Sequence, residues 1–466
     1  MENTRYGNGF LPYGAAALLV GLVGGFSAVL GPAFVRDLGI DYNNTTWTAL
    51  ATAMSTAALA PIMGKLADAV GRRRMLLIGV GVFTLGNALT ALAPNLLFML
   101  FARLVVGAGS AAIAPVVMAY ILTEFPQDAI AKGFSLYMLI SSGSVVIGPT
   151  VGSWIISTWG WRAMIWLCTA LCAAVLGYCL LFREKNVVNK NALAGFDAAG
   201  AALVVVFFSL ALCIPSFGQN YGWDSWLFRI LFLAAAVAFL GLTTVEKKAE
   251  NPILPFQILK QKTFYLSVAA LFLTQGLMQA NMTNTIIFVE YIRPGDTVVS
   301  GFAISVMYIG MALGAVALGP LADKFEPKQV LTGSLAVTAA GCASMLLYSR
   351  NASVFLLMFS LGLLGFGLGA NGTIFMKVVL SSIPREMAGA GTGTYGLFRD
   401  LAAPFGVAVL VPMFTNGVTN EIGQGLEGAA AAVSAIRMLA IVEILSVAAG
   451  IVVVRFLPGI RPNASE

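Results

Sequence analysis

The sequence predicts an all-α polytopic membrane protein with fourteen transmembrane helices arranged as six, two and six. Three observations carry this prediction. Charge is too scarce for a water-covered surface, apolar runs of spanning length fill the chain, and a charged loop recurs 255 residues after its first occurrence. The 466 residues are 59% hydrophobic and 10% charged, with a mean hydropathy of +0.87. A soluble domain carries about 25% charged residues, so this chain has too little polar surface to be covered by water. Fifty glycines suit helices that approach one another closely in lipid. A net charge of +6 is small and scattered, which argues against a nucleic-acid partner. The chain has no histidine, which excludes histidine-based metal sites and His-dependent triads. Its five cysteines, at 168, 172, 179, 213 and 342, fall in apolar runs and are expected to pack as small hydrophobes.

A span needs about 20 mostly apolar residues, because hydrocarbon satisfies no backbone amide. Suitable runs occupy 11–33, 47–67, 74–93, 96–118, 132–156, 163–182 and 195–215, then 227–245, 265–288, 299–319, 329–349, 353–376, 389–413 and 435–457. No short apolar run followed by a small-residue cleavage site is visible, so the first run is expected to stay as a helix. Basic residues orient the set: nineteen Lys and Arg fall on one side and six on the other. By the positive-inside rule the richer side, with both termini, is cytoplasmic. The expected location is the inner (plasma) membrane of the cell, as a multi-pass protein in contact with the lipid bilayer. Expected domains are a six-helix bundle at 1–190, two additional helices with connectors at 191–262, and a second six-helix bundle at 263–466.

The charged loop reads GKLADAVGRRR at 64–74 and echoes as GPLADKFEPKQ at 319–329. Both copies fall after the second span of a six-span set, on the predicted inner side. Internal repeats related about an axis along the membrane normal are characteristic of transporters. Gly64, Leu66, Asp68, Gly71, Arg72 and Arg73 resemble the signature loop of the major facilitator superfamily, and the span order resembles its fourteen-helix drug:proton antiporter branch. The resemblance implies the major facilitator fold and an inner gate at Gly64, Asp68, Gly71, Arg72, Arg73 and Asp323. The acid would pair with a base and face a helix N-terminus of the opposite half, where orphan amides favour negative charge. The second copy is degraded, with Glu326 in place of glycine. The competing reading of both loops is a solvated basic cluster. Arg103, Gly107 and Gly109 resemble the family's fourth-helix pattern. Gly148, Pro149 and Gly152 resemble its fifth-helix pattern associated with export, where a proline kink and glycines permit close packing. Ser144 and Ser153 replace two of that pattern's glycines. Val23 stands where most of the fourteen-helix branch carries an aspartate.

An ionisable residue in hydrocarbon costs about 2.5–3.5 kcal/mol on insertion scales, so each needs a partner or an aqueous cavity. Arg103 in span 4 is expected either to line the transport path or to form a structural ion pair. Arg399 and Asp400 are adjacent in span 13 and point about 100° apart on a helix, which disfavours direct pairing. One would face a cavity and the other clamp a neighbouring helix, or both would serve the scaffold. Glu443 in span 14 is the leading carboxylate for taking up a proton, with Asp400 second and structural pairing as the alternative. Span 9 is unusually polar: Gln275, Gln279 and Thr283 form one stripe, and Asn281 and Asn284 a second pair. These residues and Asn371 in span 12 suit either substrate contact or interhelical hydrogen bonding.

The expected activity is secondary active transport of a small organic solute by alternating access, not enzymatic catalysis. No nucleotide-binding G-x-x-x-x-G-K-[ST] pattern occurs and no cofactor is implied, so energy would come from a gradient, with proton coupling. Arg103, Arg399 and the missing helix-1 acid favour an anionic amphipathic solute moved by efflux. Alternatives are proton-coupled uptake of an organic anion, multidrug efflux of cationic compounds and, remotely, a non-transporting membrane sensor. A monomer is the default, with oligomeric state left open.

Overall fold

The computed structural model describes residues 2–40, 42–126, 130–181, 197–248, 256–383 and 388–458, less some side chains such as those of Lys65, Asp68 and Asp323. The chain divides into two compact units, one covering Met1–Ser209 and the other Leu210–Lys248 with Pro252–Glu466. The first contains α1 (Glu2–Ser27), α2 (Gly31–Leu38), α3 (Tyr42–Val70), α4 (Arg72–Ala91), α5 (Leu96–Glu124) and α6 (Ile130–Leu181). Next come α7 (Ala198–Tyr221) and α8 (Trp226–Glu246). The second unit continues with α9 (Phe256–Leu259), α10 (Lys262–Ile292), α11 (Thr297–Leu318), α12 (Leu321–Lys324) and α13 (Pro327–Ser344). A 3-10 turn at Met345–Leu347 follows, then α14 (Val354–Leu368), α15 (Asn371–Leu380), α16 (Ala388–Gly423) and α17 (Gly428–Arg455).

Local chemistry starts and stops these helices. Asn95, Ser225 and Ser353 each accept a hydrogen bond from the amide three residues on, at 3.0–3.2 Å, capping α5, α8 and α14. Gly160 breaks α6, with φ +82°, so its 52 residues are two helices meeting at a kink. Ten helices among the described residues are long and apolar enough to cross a membrane, against the fourteen runs expected from sequence. The kinked run Leu139–Leu181 counts as one of the ten, and the Thr, Asn and Gln residues of α10 lower its apolar character.

The packing order repeats. In the first unit α1 lies on α6, α3 on α5, and α4 on both α5 and α6. In the second, α10 lies on α16, α11 on α14, and α13 on both α14 and α17. The crossings are made at glycines with the same spacing. Gly107, Gly109 and Gly148 have counterparts 258 residues on, Gly365, Gly367 and Gly406. Gly107 abuts the Thr52 carbonyl of α3, as Gly365 abuts the Met307 carbonyl of α11. A Cβ at Gly148 would stand 2.6 Å from Gly25 Cα, and one at Gly276 would stand 2.7 Å from Gly406 Cα. The recurrence predicted from one loop is thus written into the helix contacts. Gly276→Ala forces two backbones apart and is expected to cost about 1–3 kcal/mol, read as a lower thermal midpoint in detergent.

Residues that the charge count assigns to one side gather at one end of each unit. Arg72 forms an ion pair with Glu124 at 3.4 Å and bonds the Thr123 hydroxyl, while Arg73 donates to the Leu180 carbonyl at 3.3 Å. At the other end Arg162 pairs with Asp37, which also accepts from Trp161 Nε1 at 2.8 Å. In the second unit Lys377 donates to the Ala322 carbonyl at 2.8 Å, while Arg350 pairs with Glu427 at 2.9 Å at the opposite end.

Candidate functional site

Arg103 is a buried cation of the first unit, 4% exposed on α5. Its position follows from the glycines one and two turns further along α5, which draw α3 and α4 against this helix. One guanidinium nitrogen donates to Ser27 Oγ at 3.1 Å, and the group lies 5.8 Å from the centre of the Phe34 ring. Phe34 is held edge-on by Trp161, with ring centroids 5.0 Å apart. No carboxylate pairs with Arg103 among the described residues, and its Nε has no hydrogen-bond partner. A buried unpaired guanidinium still has donors to offer, which gives this site chemistry for an anion or a carbonyl oxygen. Phe34 and Ser27 were not singled out from sequence; a Phe and a Ser in apolar runs carry no signal of their own.

Glu443 is its counterpart in the second unit, fully buried on α17. Asn281 of α10 donates to Glu443 Oε1 at 2.8 Å and to the Leu277 carbonyl at 3.0 Å. Glu443 Oε2 and Asn281 Oδ1 have no hydrogen-bond partner. The Cys342 thiol lies beside the carboxyl, and no cation pairs with it among the described residues. The helices are pinned here by further contacts: Ser446 donates to the Leu273 carbonyl at 2.7 Å, and Gly450 faces Thr274. A carboxyl so enclosed is costly to keep ionised and has room in its chemistry for one proton.

The two stripes expected on α10 separate. Asn281 and Asn284 are fully buried, whereas Gln275, Gln279 and Thr283 are partly exposed on another face. Gln275 Oε1 is nonetheless buried without a partner. Asn371 opens α15 at the break after α14 and accepts from Ser334 Oγ of α13 at 2.7 Å, an interhelical hydrogen bond. Arg399 and Asp400 correct the expectation that neighbours on a helix would not pair. Arg399 Nε donates to Asp400 Oδ1 at 2.9 Å, and both side chains are about half exposed, at 45% and 55%. The long arginine side chain spans the 100° between them. Neither is brought to Glu443 by any hydrogen bond or ion pair.

In the first signature loop Gly71 has φ +98°, a conformation that a side chain would strain, and it turns α3 into α4. A Cβ at Gly64 would stand 3.7 Å from Pro115 Cβ of α5. Arg72 is tied to Thr123 and Glu124 within the same unit; Glu124 was not anticipated, although acids are scarce enough in this chain to be worth a search. The gate acids Asp68 and Asp323 have side chains outside the described residues. At the fifth-helix pattern Gly148 and Gly152 meet Gly25 and Phe26 of α1, with Pro149 beside Gly25. Ser144 is accommodated because Gly21 lies opposite: a Cβ there would strike the serine hydroxyl.

Comparisons with known proteins agree with this architecture. The chain is 29% identical over 382 residues to the multidrug transporter protein MdtP of Bacillus subtilis, covering 81% of this chain and 70% of that protein. It is 26% identical to the multidrug resistance protein Stp of Mycobacterium tuberculosis, over 85% of this chain and 74% of that one. It is also 26% identical to the puromycin resistance protein pur8 of Streptomyces alboniger, over 88% and 82%. The crystal structure of nucleoside transporter NupG superposes with a TM-score of 0.68 at 13% identity, covering 96% of this chain and 99% of that one, a likeness of fold. The Major Facilitator Superfamily profile matches residues 13–407, and with the repeated helix packing this places the chain in that superfamily, as a membrane carrier of small organic solutes and not an enzyme.

Proposed function

We propose that the protein is an exporter of amphipathic organic compounds, cationic drugs and dyes among them, driven by proton entry. The export reading is supported by the fifth-helix glycines that seat α6 on α1, and by the named activities of the multidrug and puromycin resistance relatives. The observation that carries the coupling is Glu443, fully buried, with Asn281 as its hydrogen-bond donor and no cation paired with it among the described residues. A proton arriving from outside neutralises this carboxyl and permits the inward-to-outward exchange of α10 and α17 contacts that releases solute. Both termini are cytoplasmic in this reading, and the loop at 64–74 closes the inner mouth.

The chain then crosses the membrane fourteen times. The ten apolar helices, with Leu139–Leu181 counted as two, are joined by α3, α7 and α10. Bundles at 1–190 and 263–466 flank the two additional helices and connectors of 191–262. The protein works as a monomer.

A second reading is transport of an organic anion, favoured by the buried Arg103 with unused donors. Purified protein in liposomes tests both. With an imposed pH gradient, accumulation of ethidium supports the first reading. Accumulation of an aromatic carboxylate with ethidium ignored supports the second, and no gradient-driven movement of either removes proton-driven export.

A further inference from the structure

The face of α10 that carries Asn281 continues outward in a definite order. Thr274 meets α17 at Gly450, Asn281 bonds Glu443, and Phe288 stacks on Tyr348 with ring centroids 5.2 Å apart. Asn284 lies between the last two, one turn beyond Asn281 and one turn before Phe288. It is fully buried, and neither its Oδ1 nor its Nδ2 has a hydrogen-bond partner. The Tyr348 hydroxyl is also buried without a partner; it lies near Ser360, which bonds Ser344 at 2.7 Å. With Glu443 Oε2 and Asn281 Oδ1, five unmatched polar atoms therefore follow one another from the middle of α17 to the turn at Tyr348.

Leaving such atoms unmatched costs about 1–3 kcal/mol each, so native structures fill these positions with ordered water. At the far end Arg437 donates twice to the Tyr348 carbonyl, at 3.0 and 2.6 Å, and fixes the backbone that carries the ring. This is the end of the unit remote from Lys324, Lys328 and Lys377, and hence the outer end in the proposed orientation. The groups facing Glu443 that could titrate are Cys342 and Tyr348; α10 and α16 bring no charged side chain to it among the described residues.

We propose that Asn281, Asn284 and the Tyr348 hydroxyl hold a chain of buried waters, along which protons pass between the Tyr348 end of the second unit and Glu443. The path lies within one bundle, between α10, α13 and α17. Asn284 and Tyr348 are positioning residues: they orient the waters, and the carboxyl of Glu443 receives the proton. The inference rests on the reading of Glu443 as the proton site.

Infrared difference spectroscopy after a rapid pH drop tests it without a solute. Wild-type protein in detergent is expected to gain a carboxylic acid carbonyl band that Glu443→Gln lacks. Tyr348→Phe keeps the stacked ring and removes only the hydroxyl; Asn284→Leu keeps the branched side chain of four heavy atoms and removes the amide. Both are expected to delay the band by at least about tenfold while leaving its final amplitude unchanged, as loss of a relay group does. In Tyr348→Phe, exchange of unlabelled for labelled ethidium at equal pH should stay within about twofold of wild type, which a general packing defect would not allow. Should Asn284→Leu fail to fold, Tyr348→Phe alone decides. A band that rises at the wild-type rate in Tyr348→Phe overturns the water path and leaves the proton site standing. No band removed by Glu443→Gln overturns the proton site itself.

Discussion

Replacing Glu443 by Gln is expected to reduce proton-driven efflux in liposomes to the level of protein-free vesicles while leaving equal-pH exchange of solute measurable. The substitution keeps an oxygen to accept from Asn281, at 2.8 Å in the native protein, and it changes little in volume. What it removes is the capacity to alternate between a charged and a neutral state. Because a buried carboxylate is penalised by desolvation, the amide should also preserve or raise thermal stability. Lost coupling with undiminished stability is a signature that a merely structural Glu443 cannot produce, since a structural role predicts a lower melting temperature and failure of exchange as well. Dependence of the residual flux on the pH gradient should vanish in the variant. Persistence of that dependence would move the coupling to another acid, with Asp400 the first candidate.

Arg103→Lys is expected to leave the fold intact and slow efflux by about tenfold. Arginine here donates to Ser27 at 3.1 Å and lies over Phe34 at 5.8 Å, with donors left over. Lysine keeps the charge but loses the planar fork and its stacking surface. Hydrogen bonds to charged groups contribute about 1.5–3 kcal/mol, and about 1.4 kcal/mol is a factor of ten. The pattern of the loss across solutes separates the two readings of substrate. A uniform loss over cationic dyes marks Arg103 as a group that positions α1 and α5 for the transport cycle. A loss confined to carboxylates, with dyes unaffected, marks direct recognition. Normal rates for every solute would remove Arg103 from the transport path.

The chemistry in both experiments was partly readable in advance because charge is so rare here. With 10% charged residues, an Arg or Glu inside an apolar run stands out, and Arg103 and Glu443 did. Their partners did not. Asn281 was one of several amides on α10, and Cys342, Tyr348, Ser27 and Phe34 lay in other helices with nothing in their spacing to connect them. Arg399 and Asp400 were misjudged because helical geometry places backbones, while a four-bond side chain decides where a guanidinium ends. The loop motif announced a repeat, but the matching crossings at Gly25 with Gly148 and Gly276 with Gly406 required the helices to be placed.

By itself the sequence determined that this is an α-helical membrane protein with an internal repeat. The bilayer leaves backbone amides no other partners, and apolar runs of spanning length state that constraint directly. Only the tertiary structure decided which polar residues are buried together and which are half exposed. Hydrophobic length is a one-dimensional property, whereas the meeting of Glu443 with Asn281, or of Ser144 with the space at Gly21, depends on how helices distant in the chain cross.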